Sequence, residues 1–260
     1  MQRYDYAIIG GGIVGLSVAW AILERQSRAR IAVLEKECDW SRHQTGRNSG
    51  VIHSGIYYKP GSLKAKLCRE GNRRLLEFCN THGIRHEVCG KVIVATTESE
   101  LPLLEKLHAR GVENGLPVRK MTAAQVKELE PHVSCLAGLH VPSTGIVDYT
   151  GVCRKLVGLI AARGADLRLN TRVLGFHQGG NEAVLETSNG SLAAGWVISC
   201  AGLQSDRVAR LAGAKPEARI VPFRRILRVE TGAARPGAEP DLPGAGPGIS
   251  VPRCPFYPYD

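Results

Sequence analysis

The sequence predicts an α/β fold built on a parallel sheet, and three observations at its start carry that reading. A short apolar run, Tyr6-Ala7-Ile8-Ile9, ends in Gly10-Gly11-Gly12. A stretch with helical spacing, Ile13 to Arg25, follows at once, with Val14, Val18, Ala21 and Ile22 expected on its inward face. A second apolar run, Arg30 to Leu34, then closes on Glu35. Strand, glycine turn, helix and strand within about 30 residues make a βαβ unit, and a crossover of that length forces its two strands to be parallel.

The later elements follow from spacing and punctuation. Cys38 to Pro60 is polar and glycine-rich, and reads as a long loop with a short helix. Leu63 to His82 returns to helical spacing, with Leu63, Leu67, Leu75, Leu76 and Cys79 expected inward and Gly83 as its stop. Lys91 to Ala95 reads as a strand and Glu98 to Arg110 as a helix. Thr122 and Gln125 form a capping box for a helix that ends before Pro131. Gly138 to Pro142 is a strand and Tyr149 to Arg163 a helix. Leu167 to Leu169, Arg172 to Phe176 and Ala183 to Thr187 are short strands, with a turn at Asn189-Gly190. Trp196 to Gly202 reads as a buried strand meeting glycine, and Ser205 caps a helix to Leu211.

Composition excludes several classes. The chain has 260 residues, 43% hydrophobic and 22% charged, a globular balance that rules out wholesale disorder. Its 34 Lys+Arg against 24 Asp+Glu give a formal charge of +10, which suits anionic partners. Those cations are scattered and aromatics are only 5%, so a nucleic-acid partner is disfavoured. The eight cysteines form no C-x-x-C pair and no zinc spacing, and are expected to be reduced, buried thiols. No apolar run reaches the roughly 18–20 residues of a membrane-spanning helix, and no leader precedes the first strand. A cytoplasmic protein is expected.

The glycine turn carries the chemistry. Gly10-Gly11-Gly12-Ile13-Val14-Gly15 fits G-x-G-x-x-G between strand and helix, with an acidic residue 20 positions beyond Gly15. Gly10 allows the tight turn, Gly12 lets a pyrophosphate approach the backbone, and Gly15 lets the helix pack on the sheet. The helix N-terminus favours the diphosphate, and Glu35 can accept from the adenosine ribose. NAD and FAD both fit. The polar loop after the second strand, and a late strand at Val197 to Gly202 following a separate block of elements, favour FAD.

The run His43-Gln44-Thr45-Gly46-Arg47-Asn48-Ser49-Gly50-Val51-Ile52-His53-Ser54-Gly55-Ile56-Tyr57-Tyr58 resembles the L-2-hydroxyglutarate oxidase/dehydrogenase family of FAD enzymes, in the D-amino-acid-oxidase-like superfamily. Further matches are Pro60 to Ala65, Cys89-Gly90-Lys91, Pro142 to Val147 and Ile198 to Gly202. The resemblance implies a Rossmann-like FAD-binding domain interrupted by a partial α+β substrate domain. The expected division is 1–90 and 145–215 for FAD, 91–144 and 216–224 for substrate, and an irregular tail over 225–260. It implies oxidation of L-2-hydroxyglutarate to 2-oxoglutarate by hydride transfer to flavin. Electrons would pass to a membrane quinone or oxygen, placing the protein peripherally on the inner face of the cell membrane. His53 is the expected proton acceptor, set against a purely structural histidine. His43, Thr45, Asn48, Ser49 and Gly50 are expected at the flavin, Val173 at the adenine, and Ala201 and Gly202 at the nucleotide through their backbone. Arg47, Tyr57 and Lys64 are candidates for the dicarboxylate substrate. No metal site is expected. An amine oxidase of the sarcosine or glycine oxidase type is the second reading, and an inactive FAD-binding fragment the third.

The chain departs from the family after Pro222-Phe223-Arg224. The family continues Gly-Glu-Tyr-Tyr-x-Leu, whereas here Arg225 to Thr231 follows. Codons CGG CGA ATA CTA CGA GTT GAA ACC encode Arg224 to Thr231 and, read one base later, give Gly-Glu-Tyr-Tyr-Glu-Leu-Lys. A frameshifted tail is therefore expected, tested by resequencing the locus. Without the family's remaining part, apolar faces would lack partners at about 25 cal/mol per Å² of burial forgone. Poor solubility or weak FAD binding is then expected.

Overall fold

The computed structural model describes residues 1–221; the tail expected over 225–260 lies outside the described residues. In chain order the strands are β1 (Gln2–Ile9), β2 (Ile31–Leu34), β3 (Val51–Ile52), β4 (His86–Glu87), β5 (Val92–Ala95), β6 (Arg119–Thr122), β7 (Ala137–His140), β8 (Gly145–Val147), β9 (Asp166–Arg168), β10 (Val173–Gly179), β11 (Glu182–Thr187) and β12 (Gly190–Ser199). The α-helices are α1 (Ile13–Arg25), α2 (Leu63–His82), α3 (Leu101–Glu113), α4 (Ala123–Leu129), α5 (Tyr149–Ala162) and α6 (Ser205–Leu211). Contacts divide them into two units: residues 1–50 with 148–221, and residues 51–147.

In the first unit a six-stranded sheet runs β10-β11-β12-β1-β2-β9. The βαβ pattern requires β1 and β2 to be parallel, and they are, with Ile9 beside Leu34. β12 joins the other side of β1 in parallel, with Ile9 beside Ser199, so all three strands end level. β10 and β11 extend the sheet antiparallel. Side-chain alternation gives each face its core. Ala7, Ile9, Ala32 and Leu34 cluster with Val173, Leu185 and Leu192 on one face, where Val208 of α6 packs against them. Ile8 and Val33, fully buried, point the other way, and α1 and α5 pack together beside β1, β2 and β9.

Three expectations about burial are corrected here. The inward face of α1 is Gly15, Leu16, Ala19 and Leu23, while Val14 is 62% exposed. Gly15 sets this rotation, because it has to lie against the Gly10 carbonyl. Trp196, expected in a buried strand, is 69% exposed; the buried part of β12 is Leu192 to Ala194. Cys38 and Cys89 are exposed rather than buried, while Cys79 and Cys153 are buried as expected.

The second unit holds two three-stranded sheets, β3-β8-β4 and β5-β7-β6, both antiparallel. Ile93, Leu104, Leu107 and Leu139 centre its core. The expected capping box of α4 is present, with the Thr122 hydroxyl accepting from the Gln125 N–H and the Gln125 side chain accepting from the Thr122 N–H. Ser62 caps α2 through Ala65 N–H, and Gly83 ends it in the left-handed conformation at φ 64°. Of the five α2 residues expected inward, Leu63 and Leu67 are exposed. The outer face of α2 is supported instead by Glu70, which pairs with Arg73 and Arg74 one turn on. The contacts also place residues 51–90 with this unit, so its first boundary falls after Gly50 and not at residue 90. β3 is the cause: Val51 and Ile52 pair with Ile146 and Gly145, tying the end of the long loop to β8.

Candidate functional site

The level ends of β1, β2 and β12 open onto a cleft of about 710 Å³, within the size range of ligand sites. In open α/β sheets, ligands bind beyond the carboxyl ends of the strands, where neighbouring connections diverge. β1 is such a place, since its two neighbours, β2 and β12, lie more than 150 residues apart in sequence. Gly10, Gly12, Glu35, His43, Thr45, Asn48, Val173, Ala201 and Gly202 all line this cleft.

The glycines divide the work. Gly10 has φ +112°, and a Cβ there would sit 2.4 Å from the Cys200 carbonyl oxygen. Gly15 lies behind the cleft, where its Cβ would be 2.0 Å from the Gly10 carbonyl oxygen. It is a packing glycine. Gly12 faces more open space, its nearest neighbour being Thr45 Oγ1 at 3.2 Å. Gly11, passed over as a spacer, is also obligatory: its Cβ would meet the Trp40 ring at 2.4 Å. The first turn of α1 carries no acidic residue, and among the described side chains the Thr45 hydroxyl alone accepts from it, at the Ile13 N–H (3.1 Å). A backbone this close to open space at a helix N-terminus is a fitting cradle for a dinucleotide diphosphate.

Glu35 is 7% exposed and braces the bend. One carboxylate oxygen accepts from Gly11 N–H at 2.7 Å and the other from Glu37 N–H at 3.0 Å. Each oxygen keeps a second lone pair for a ribose hydroxyl. Glu35→Ala leaves the buried Gly11 N–H unpaired and is expected to cost about 1–3 kcal/mol of stability, read as a lower urea midpoint.

The polar loop supplies the rim. Asn48 donates to the Gln44 and Thr45 carbonyls and accepts from Gly50 N–H, so its side chain is spent on shaping the loop. His43 Nε2 lies 2.9 Å from Glu37 and 3.0 Å from Lys36. The Lys36 ammonium, then His43, hold the Glu37 carboxyl down at about 2. Ser49 and Gly50, expected at the flavin, do not line the cleft, nor does Arg47, which is exposed. Arg172 and Arg207 do line it and were missed. Their signal was present, since Arg172 immediately precedes Val173 and Arg207 lies in the first turn of the helix expected there. Ser205, expected to cap that helix, is instead its first residue, with Gln204 at the cap position and the Ser205 hydroxyl donating to the Gly202 carbonyl. Cys200, expected in the core, also lines the cleft, its thiol pushed up by burial.

A second group of candidate side chains lies within residues 51–147. The Lys91 ammonium sits 4.4 Å from the centre of the Tyr57 ring. Burial lowers it to about 8, against a smaller opposing effect of Cys68. His53 remains solvent-accessible, yet crowding and the Lys91 charge lower its imidazole below the usual range. Its carbonyl accepts from Asn72 Nδ2 at 3.2 Å and from the Cys68 thiol at 3.4 Å. His53 and Tyr57 are thus brought together around Lys91, whereas Lys64 is an exposed residue of α2. Among the described residues no cluster could hold a metal ion, and no helix is long and apolar enough to cross a membrane.

Comparison with known proteins agrees with this geometry. An L-2-hydroxyglutarate dehydrogenase of Escherichia coli is 44% identical over 222 residues, covering 85% of this chain and 53% of that protein. The human mitochondrial L-2-hydroxyglutarate dehydrogenase is 42% identical over 236 residues, covering 86% and 51%. The chain spans about half the length of the curated relatives it matches. Among solved structures, glycine oxidase from Geobacillus kaustophilus superposes with a TM-score of 0.74 at 25% identity, over 83% of this chain and 60% of that one. An L-α-glycerophosphate oxidase from Mycoplasma pneumoniae with FAD bound gives 0.74 at 27%, over 82% and 58%. The model of the FAD dependent oxidoreductase family, DAO, matches residues 5–253. With a braced glycine bend, an open helix N-terminus and a family match over nearly its whole length, this chain belongs to the FAD dependent oxidoreductases.

Proposed function

We propose that the protein is the FAD-binding part of an enzyme that oxidises L-2-hydroxyglutarate to 2-oxoglutarate. The observation that carries this reading is the 44% identity to an L-2-hydroxyglutarate dehydrogenase, and the cleft at the ends of β1, β2 and β12 supports it. Gly10, Gly12 and the α1 N-terminus would hold the diphosphate, and Glu35 the ribose hydroxyls. Val173 would contact the adenine, and Ala201 and Gly202 the nucleotide, through their backbones. Arg172 and Arg207 supply positive charge at the rim. His43, Thr45 and Asn48 would shape the flavin side, with Ser49 and Gly50 continuing the loop.

FAD, when bound, supplies the acceptor for the hydride leaving the carbinol carbon. His53 takes the hydroxyl proton on an imidazole nitrogen, and its lowered pKa keeps it neutral and ready to do so at pH 7. Arg47, Tyr57 and Lys64 remain candidates for orienting the dicarboxylate. The electrons then leave to a quinone at the inner face of the cell membrane or to oxygen, and the +10 charge suits an anionic surface.

Anaerobic addition of L-2-hydroxyglutarate to the FAD-loaded protein is expected to bleach the flavin's visible absorbance, and sarcosine is expected to leave it unchanged. The likeness to glycine oxidase favours an amine oxidase as second reading. Bleaching by sarcosine and not by L-2-hydroxyglutarate would establish that one instead.

A further inference from the structure

We infer that Lys91, beside His53, is an anion-binding station that takes one carboxylate of the substrate. The inference rests on the hydroxydicarboxylate reading above and adds the residue that recognises the charge. Four observations within residues 51–147 lead to it.

The first is position. Lys91 and Val141 exchange both backbone hydrogen bonds, at 3.2 and 2.9 Å, so the base of the side chain is fixed to the end of β7. Gly90, at φ +74°, allows the approach: a Cβ there would lie 2.7 Å from His140 Nε2. The second is charge. Among the described residues Lys91 makes no ion pair, and the groups facing it are the Tyr57 ring, the Cys68 thiol and the His53 imidazole. A half-buried ammonium without a carboxylate is costly, and an incoming carboxylate restores what burial removes.

The third observation is a set of unsatisfied hydroxyls. Ser54 and Thr144, each 3% exposed, and Ser143 have buried side-chain oxygens with no hydrogen-bond partner. Asn72 Nδ2 donates to both the His53 and Ser143 carbonyls, at 3.2 and 3.0 Å, which draws these two segments together next to His53. Buried hydroxyls without partners are rare in native proteins and mark places where a polar guest is expected. The fourth is the electrostatic state. Lys91 sits at about 8 and is still mostly protonated at neutral pH, and a bound anion would raise it further. The site therefore has its cation and a neighbouring base, with unpartnered hydroxyls in the segments that flank His53.

The test is calorimetric titration of glutarate, a dicarboxylate that cannot be oxidised by hydride loss from a carbinol carbon, into the FAD-loaded wild type, Lys91→Met and Lys91→Arg. Loss of a charge-assisted contact is expected to weaken glutarate about tenfold or more in Lys91→Met. Lys91→Arg is expected to retain most of the affinity, and all three proteins to hold equal FAD. Lys91→Met must also melt no lower than wild type at pH 7, because it removes a desolvated charge. The unfolded chain keeps its lysine proton up to 10.5 and the folded one only to about 8. Wild-type stability therefore rises with pH across that window, and the advantage of Lys91→Met shrinks across it. Glutarate binding to Lys91→Met as tightly as to wild type would overturn the inference. If wild type binds sarcosine and not glutarate, the hydroxydicarboxylate reading falls, and the effect of Lys91→Met on the sarcosine carboxylate then judges the station by itself. Wild type that holds FAD and binds neither compound refutes both.

Discussion

Replacing Gly15 by alanine is expected to strip the protein of FAD and lower its stability more than any other single methyl addition in the glycine bend. The new Cβ would lie 2.0 Å from the Gly10 carbonyl oxygen and 3.2 Å from its carbon, both backbone atoms that cannot swing aside. Relief requires α1 to lift from β1, which also displaces the amides proposed to hold the diphosphate. Overpacking of this kind costs about 1–3 kcal/mol, and more against rigid backbone, out of a typical ~5–15 kcal/mol. Gly12→Ala is the informative contrast. Its Cβ meets only the Thr45 hydroxyl, at 3.2 Å, so the fold should keep its urea midpoint while the methyl blocks the nucleotide. Flavin-to-protein absorbance ratios and urea titrations on the two variants separate the roles. Wild-type flavin content in Gly15→Ala would refute this account of the bend.

Replacing His53 by glutamine is expected to lower kcat about 10²–10⁴-fold with flavin content unchanged, since His53 does not line the nucleotide cleft. The pH profile gives an independent readout. His53 must be neutral to accept the hydroxyl proton, so kcat/KM falls as pH drops through a pKa lying below the ordinary 6.5. Lys91 must be charged to hold a carboxylate, so KM rises above about pH 8. A bell with its acid limb below 6.5 follows, and the glutamine variant loses that limb alone. An unchanged acid limb in that variant would assign the proton to another group.

The legible part of this protein is local in sequence. The glycine bend between β1 and α1, the capping box at Thr122 and the stop at Gly83 each depend on residues a few positions apart or on one short motif, and the structure shows all three. What escaped depends on distant partners. Gly11 is obligatory because Trp40, 29 positions on, packs over it. The two- and three-residue strands β3, β4 and β8 have no period to detect, and only their mutual pairing defines them. The rotation of α1 follows from one close contact with Gly10, so apolar spacing pointed to the wrong face. Lys64 attracted attention for its place in a motif, but the ammonium held against Tyr57 and His53 belongs to Lys91. Nothing in the sequence says which lysine is half-buried.

The bracing of the glycine bend has a thermodynamic consequence. Because Glu35 already fastens Gly11 and the Glu37 amide, the surface proposed to receive the dinucleotide is set before any ligand arrives. Little ordering entropy then remains to be lost on capture. Holding on to the coenzyme should therefore depend on rigidity as much as on contacts, and loosening that one buried acid should speed the coenzyme's escape by more than its own ribose contact accounts for.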